Sequence, residues 1–248
     1  MSKLLADEIT RWIARRVDEA HSAGVMVGLS GGIDSAVVAV LAQRALGENV
    51  LTLIMPCHSS PEDEQAARLV VDKFDLRTQR IDLTGVYDAH LSILPEGNAL
   101  AKANLKPRLR MATLYYHANT HNYLVAGTGN KSELMVGYFT KWGDGGVDIL
   151  PIGSLLKTQV REVARAIGIP QEIIDRPPSA GLWQGQTDES EMGMTYADLD
   201  GAILDMEASD DELGNAHALA RLHQMHARSQ HKRMPVQIFE WADPLADR

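Results

Sequence analysis

The chain has 248 residues, 45% of them apolar and 23% charged, the proportions of a folded globular protein rather than a disordered or fibrous one. A net charge of −9 and a pI near 5.4 disfavour a surface that tracks long nucleic acid, since any basic patch would have to act against the overall field. No apolar run approaches the roughly 20 residues of a membrane span; the single cysteine, Cys57, can close no intramolecular disulfide, which suits a reducing, cytoplasmic setting and a buried small apolar role.

At the start, Asp7 and Glu8 stand where a signal peptide would be apolar, and Leu5, Ile9, Trp12, Ile13 and Val17 recur at helical intervals, predicting an amphipathic surface helix. Residues 25–29 form a hydrophobic strand run that enters Ser30, Gly31, Gly32, Ile33, Asp34 and Ser35, after which 35–46 has helical spacing. Further strand runs are expected at 50–55, 80–83, 123–126 and, weakly, 149–152, with helices at 62–74, 108–117 and 157–167 between and after them. This alternation predicts one α/β domain over 1–248, a doubly wound (Rossmann-like) parallel five-stranded sheet with helices on both faces and right-handed crossovers. In such sheets ligands bind beyond the carboxyl ends of the strands. Residues 176–194 read as a long loop whose Trp183 and Gln184 could close over a site.

The strand, glycine loop, helix order around Ser30–Ser35 suits an anion without any cationic side chain. Paired glycines let backbone N–H groups approach it, the serine hydroxyls add donors, and the helix N-terminus adds partial positive charge. Asp34 would repel a bare phosphate but makes sense as a ligand of the Mg²⁺ that accompanies a nucleotide. The plainer alternative is a tight turn in which Asp34 and Ser35 cap the helix. The loop lacks both the lysine of GxxxxGK[ST] and the third glycine of GxGxxG, and it resembles SGGxDS, the pyrophosphate loop of the ATP pyrophosphatase family, whose adenine nucleotide alpha hydrolase-like members cleave ATP to AMP and PPi.

Five further strings, in order, resemble the ammonia-dependent NAD synthetase family within that group: NLKPRLRM at 104–111, GTGNKSE at 127–133, YFTKWGDGG at 138–146, SAGLWQGQTDE at 179–189 and HKR at 231–233. The resemblance implies an ATP site of Ser30, Gly31, Gly32, Ile33, Asp34, Ser35, Arg110, Thr128, Lys157 and Ser179. It implies a deamido-NAD site of Asn104, Arg108, Tyr138, Lys141, Asp144, Asp148, His231 and Lys232, and a Mg²⁺ pair of Asp34 and Glu133. Asp144, Lys157 and Asp34 are the implied catalytic set, with Asp144 attracting ammonium beside the nicotinate and Lys157 countering charge as pyrophosphate departs. Taken singly, each has a plainer reading: Glu133 as a first-turn acid of a helix capped by Asn130, Asn104 to Arg110 as a solvated helix face, Asp144 as part of a DGG turn, Lys157 as a surface lysine and 231–233 as a basic tail.

The activity implied is ligation. A carboxylate is a poor electrophile, so nicotinate oxygen would first attack the α-phosphorus of ATP, and ammonia would then displace AMP from the acyl-adenylate to give NAD. ATP, deamido-NAD and ammonia are the expected partners, with no nucleic acid or membrane. A homodimer follows from the resemblance, and neither spare length nor a Cys/His setting points to a glutaminase domain. Rivals are another adenylating member sharing SGGIDS, and a nucleotide-binding module without turnover.

Overall fold

Strands that are apolar on both faces belong inside a sheet covered on both sides. The computed structural model describes residues 2–179, 181, 187–208 and 215–239, and in it the second strand, VLTLI, is buried at all five positions. Helix α1 (Ser2–Glu19) leads into β1 (Gly24–Gly28), α2 (Ile33–Leu46), β2 (Val50–Ile54), α3 (Pro61–Phe74) and β3 (Thr78–Arg80). Two helices, α4 (Thr84–Ile93) and α5 (Ala99–His121), then return the chain to β4 (Tyr123–Ala126). The remainder is helical: α6 (Lys131–Val136), α7 (Lys157–Ile167), α8 (Gln171–Asp175), α9 (Asp188–Met192), α10 (Tyr196–Ala208), α11 (Ala216–Arg228) and α12 (Gln230–Arg233).

The described strands form a parallel sheet in the order β3-β2-β1-β4. Alternation sorts their side chains to two cores. Val25, Val27, Val50 and Ile54 join one cluster with α1, α2 and α7. Met26, Leu51, Leu53 and Val125 join another with Tyr87 of α4 and Ala118 of α5. Helices therefore cover both faces, as the doubly wound reading requires. A third apolar cluster ties α6, α10 and α11 together through Val136, Tyr196, Leu199, Ile203 and Leu222. Chain order runs outward from β1 to β3 and then jumps to the other side of β1, so the crevice between β1 and β4 is the topological switch point.

Four expectations shift. The sheet has four strands rather than five: the 149–152 run contributes a single bridge, Ala126 to Ile149, because Pro151 has no N–H for a ladder and the chain turns there. The third strand lies at Thr78–Arg80 rather than 80–83. Helix α5 is far longer than 108–117, extended at one end by Asn98, whose side chain accepts the Ala101 N–H, and carried through Pro107, which is buried by packing. The N-terminal amphipathic helix stands as expected, burying Ala6, Ile9, Ile13 and Val17 against α2 and α7. Inside the expected loop 176–194, Asp188–Met192 is helical; Trp183 and Gln184 lie outside the described residues. Among the described residues no helix is long and apolar enough to cross a membrane.

Candidate functional site

The switch-point crevice opens into a cavity of about 840 Å³ whose floor is the glycine loop. Ser35 lies one turn into α2 and does not act as a conventional cap. Its Oγ accepts the Ser30 N–H at 3.2 Å and donates to the Gly32 carbonyl at 3.0 Å, closing the loop on itself. Gly32 occupies the N-cap position with no side-chain partner for the first helical N–H groups, which leaves them to an incoming anion. Gly31 has φ +85°, and a Cβ there would lie 2.3 Å from the Asp63 carbonyl oxygen of α3, so only glycine fits. Arg176, just past α8, donates to the Gly31 carbonyl at 3.1 Å and to Asp63 Oδ1 at 2.9 Å, pinning loop and helix together.

Across the crevice, the turn after β4 delivers Asn130 and Glu133. Glu133 forms a reciprocal capping box with Asn130, as the plainer reading expects, and its Oε1 accepts from Lys157 Nζ at 3.3 Å. Lys157 Nζ also meets Asp34 Oδ2 at 2.5 Å, and Asn130 Nδ2 donates to Asp34 Oδ1 at 3.0 Å. Lys157 is 1% exposed, so it is no surface lysine. Burial pulls its ammonium pKa down, but Asp34 and then Glu133 outweigh that and hold it above the ordinary lysine value. Burial pushes the Glu133 carboxyl up to about 7, against the pull of Lys157 and with the added repulsion of Asp34. Two hard carboxylates beside an anion-binding loop are the donor set that a divalent cation carried by phosphates takes, so the residues fit one. Among the described residues no group of three or more His, Cys, Asp or Glu side chains forms a metal cage.

The basic cluster on α5 divides. Arg110 faces the cavity, held by the Met55 carbonyl at 3.0 Å and the Ser59 hydroxyl at 3.2 Å, with its pKa lowered by burial. Arg108 is exposed, reaches the Lys141 carbonyl at 3.5 Å and does not line the cavity. Asn104 lines it and accepts the Thr140 hydroxyl at 2.7 Å.

Residues 138–146 form a compact turn. Asp144 Oδ1 accepts the Thr140 N–H at 2.9 Å, so the plain turn reading is realised, yet the residue also lines the cavity; burial raises its pKa and the Thr140 bond restrains it. The segment 231–232 packs onto this turn. Lys232 Nζ donates to the carbonyls of Gly137 and Phe139, both at 2.9 Å, and Lys141 Nζ donates to the His231 carbonyl at 2.6 Å. Lys232 and Tyr138 line the cavity, whereas Lys141 and His231 do not. Asp148 does not either: it accepts the Tyr115 hydroxyl at 2.9 Å and the Val125 N–H at 2.7 Å, joining α5 to β4. Ser30, Gly32, Ile33, Asp34, Ser35, Thr128, Glu133, Lys157 and Ser179 are all in the lining, and Gly31 contributes backbone behind it.

Sequence reasoning missed Arg176, Asp188 and Tyr196. Tyr196, fully buried, donates to Asp188 Oδ2 at 3.0 Å and lies 3.3 Å from Glu133 Oε1, with Lys157 Nζ 4.9 Å from its ring centre. Its pKa is raised by burial first and then by those carboxylates. The only signal for Asp188 was its membership of the string ending TDE; Arg176 and Tyr196 carried none, since their roles arise from chain returns of more than 60 residues.

Comparison with known proteins agrees with this geometry. Residues 5–236 match the family described as NAD synthase. The NH(3)-dependent NAD(+) synthetase of Carboxydothermus hydrogenoformans is 51% identical over 232 residues, covering 92% of this chain and 93% of the relative. Among solved structures, an NMN synthetase from Francisella tularensis superposes with TM-score 0.89 at 38% identity, covering 97% of this chain and 99% of that one. The NH3-dependent NAD synthetase from Campylobacter jejuni, in complex with the nitrate ion, gives TM-score 0.84 at 30% identity, covering 97% and 100%.

Proposed function

The chain belongs to the NAD synthase family, and with that premise we propose that its switch-point cavity performs an ATP-driven ligation in which ATP leaves as AMP and PPi. The protein amidates deamido-NAD with ammonia to give NAD, the last step of NAD biosynthesis. One observation supports the assignment of chemistry above all: a buried lysine bridging two carboxylates directly opposite an uncapped glycine loop.

The nicotinate oxygen attacks the α-phosphorus, the bond to the bridging oxygen breaks, and PPi departs into the N–H groups of Gly31 to Ser35. Ammonia then attacks the acyl-adenylate and AMP leaves. Asp34 and Glu133 would hold Mg²⁺, which supplies charge neutralisation on the phosphates. Lys157 lies where it can follow the charge that builds on the departing group. Arg110 and Thr128 serve ATP from the cavity wall, and Tyr138, also in the lining, offers an aromatic ring to the pyridine. Asn104 and Asp144 complete the wall on the dinucleotide side, and Lys232 fixes the carbonyls of Gly137 and Phe139 behind it. Arg108, Lys141, Asp148 and His231, outside the cavity lining, serve the dinucleotide only as a framework around this wall or from an adjoining copy.

Incubation with ATP, Mg²⁺, ammonium and deamido-NAD tests the reading. NAD with equimolar AMP and PPi is expected, and ADP with orthophosphate would overturn it. The likeness to an NMN synthetase makes the mononucleotide acid the natural competitor, and the 51% identical relative favours the dinucleotide, so a higher kcat/KM with deamido-NAD is expected.

A further inference from the structure

Helix α7 opens without a cap of its own. Its N-cap residue is Leu156, which has no side-chain oxygen to offer the first helical N–H groups, and the first residue of the helix is Lys157. The missing acceptors come from two other helices. The Lys157 N–H donates to Ser132 Oγ of α6 at 3.0 Å, and the Thr158 N–H donates to Asp200 Oδ2 of α10 at 2.9 Å. The two acceptors are themselves joined, since the Ser132 hydroxyl donates to Asp200 Oδ1 at 2.5 Å. Ser132 and Asp200 are both buried, and neither lines the cavity.

A carboxylate taken out of water carries a desolvation penalty that an apolar residue filling the same space would avoid, so its presence calls for a reason beyond packing. Part of the penalty is offset by the partial positive charge at the start of the 11-residue α7. The reason lies in what the contact holds. Neighbouring residues of α6 grip Lys157 at both ends, Ser132 at its backbone N–H and Glu133 at Nζ. Beside them the Lys131 N–H donates to the Leu155 carbonyl at 2.8 Å, lacing the starts of α6 and α7 together. Asp200 ties this junction to α10, whose Tyr196, four residues earlier on the same helix face, touches Glu133 and Asp188. A lysine ammonium rides on a flexible four-carbon stem, so where Nζ meets a developing charge depends on where the Cα is held. Displacement by about 1 Å at such a contact is enough to cost about a hundredfold in rate.

We propose that Asp200, acting through Ser132 and the first turn of α7, is a positioning residue that sets Lys157 for the departure of PPi. The proposal rests on the ligation reading above, in which Lys157 follows the charge on the departing group. Asp200→Asn keeps the volume and one oxygen, enough for the Thr158 N–H, but leaves the Ser132 hydroxyl without its acceptor; Asp200→Ala removes both contacts. Exchange of labelled PPi into ATP, dependent on deamido-NAD and run without ammonium well below each melting temperature, reports the step directly. The exchange rate at saturation should fall about tenfold in Asp200→Asn and further in Asp200→Ala, with the KM for ATP and for deamido-NAD within about twofold of wild type. A lowered melting temperature with exchange within about twofold of wild type, or KM values that rise as much as exchange slows, overturns the proposal. In a Lys157→Met background Asp200→Asn should slow the residual exchange by less than about twofold, because no ammonium is left to place, whereas the same loss in both backgrounds makes Asp200 structural only and overturns it. Should Asp200→Asn fail to fold, Ser132→Ala takes its place in the same measurements, with the same expectations. Absence of exchange in the wild-type enzyme would instead overturn the adenylation reading, and the proposal with it.

Discussion

Lys157 sits where charge is hardest to place: it is buried, and it is tolerated because Asp34 and Glu133 close on it from two sides. Asp34 has no substitute in this arrangement, since one oxygen meets Lys157 and the other meets Asn130. Asp34→Asn should leave the far-ultraviolet circular dichroism unchanged and lower kcat by about a hundredfold or more; wild-type turnover in that variant would remove Asp34 from the reacting centre. Glu133 carries a pH signature. Its carboxyl titrates at about 7 in the fold against 4.5 for an ordinary glutamate, so the folded state holds the proton more tightly. Its contribution to stability is complete below about pH 4.5 and is lost as pH rises through 7. In metal-free, nucleotide-free protein, Glu133→Gln should flatten that pH dependence. Thermal melts between about pH 5 and 8 check this, and parallel curves would place the titration elsewhere.

At the scale of elements, the site is a meeting of ends: the loop after β1, the turn after β4, the start of α7 and the residue past α8. Arg176 is the brace, tying the Gly31 carbonyl to Asp63 so that the loop's N–H groups face the cavity. Arg176→Ala should therefore raise the KM for ATP by about tenfold with little change in kcat once ATP saturates, because the loop must be ordered on binding; a fall in kcat alone would point to contact with the reacting atoms. The glycine loop and α7 are legible in sequence because backbone conformation and helical period are local properties, and Gly31 and Lys157–Ile167 lie where local pattern places them. The 108–117 reading is too short because α5 runs through Pro107, and a buried helix can bear one missing N–H when packing holds it. The 149–152 run misleads because its hydrophobicity serves the core through Ile149 and Ile152 without a ladder. Arg176 and Tyr196 stay hidden for a further reason, since their partners are set by tertiary returns that no spacing encodes.

Over the whole molecule, the apolar surface is uneven. Val86 and Ile93 stand seven residues apart on one face of α4, with Leu94 and Leu100 following, and Ile93 is 79% exposed and Leu100 62%. A protein with net charge −9 has little reason to leave such a face to water, and a second copy of the chain is the partner the family resemblance implies. Leu100, near the start of α5, is exposed and also lines the cavity, so a partner that covers it would shape the cavity. Sedimentation of the wild-type protein should therefore give a dimer, and Ile93→Glu, which buries a charge in the same place, should shift it towards monomer with an unchanged dichroism spectrum. On the proposed placement of ATP over the phosphate loop and of the dinucleotide towards the rim, the monomeric variant should show a raised KM for deamido-NAD while the KM for ATP stays near wild type. Persistence of the dimer would move the interface to another face; a monomer with both constants unchanged would separate assembly from the site.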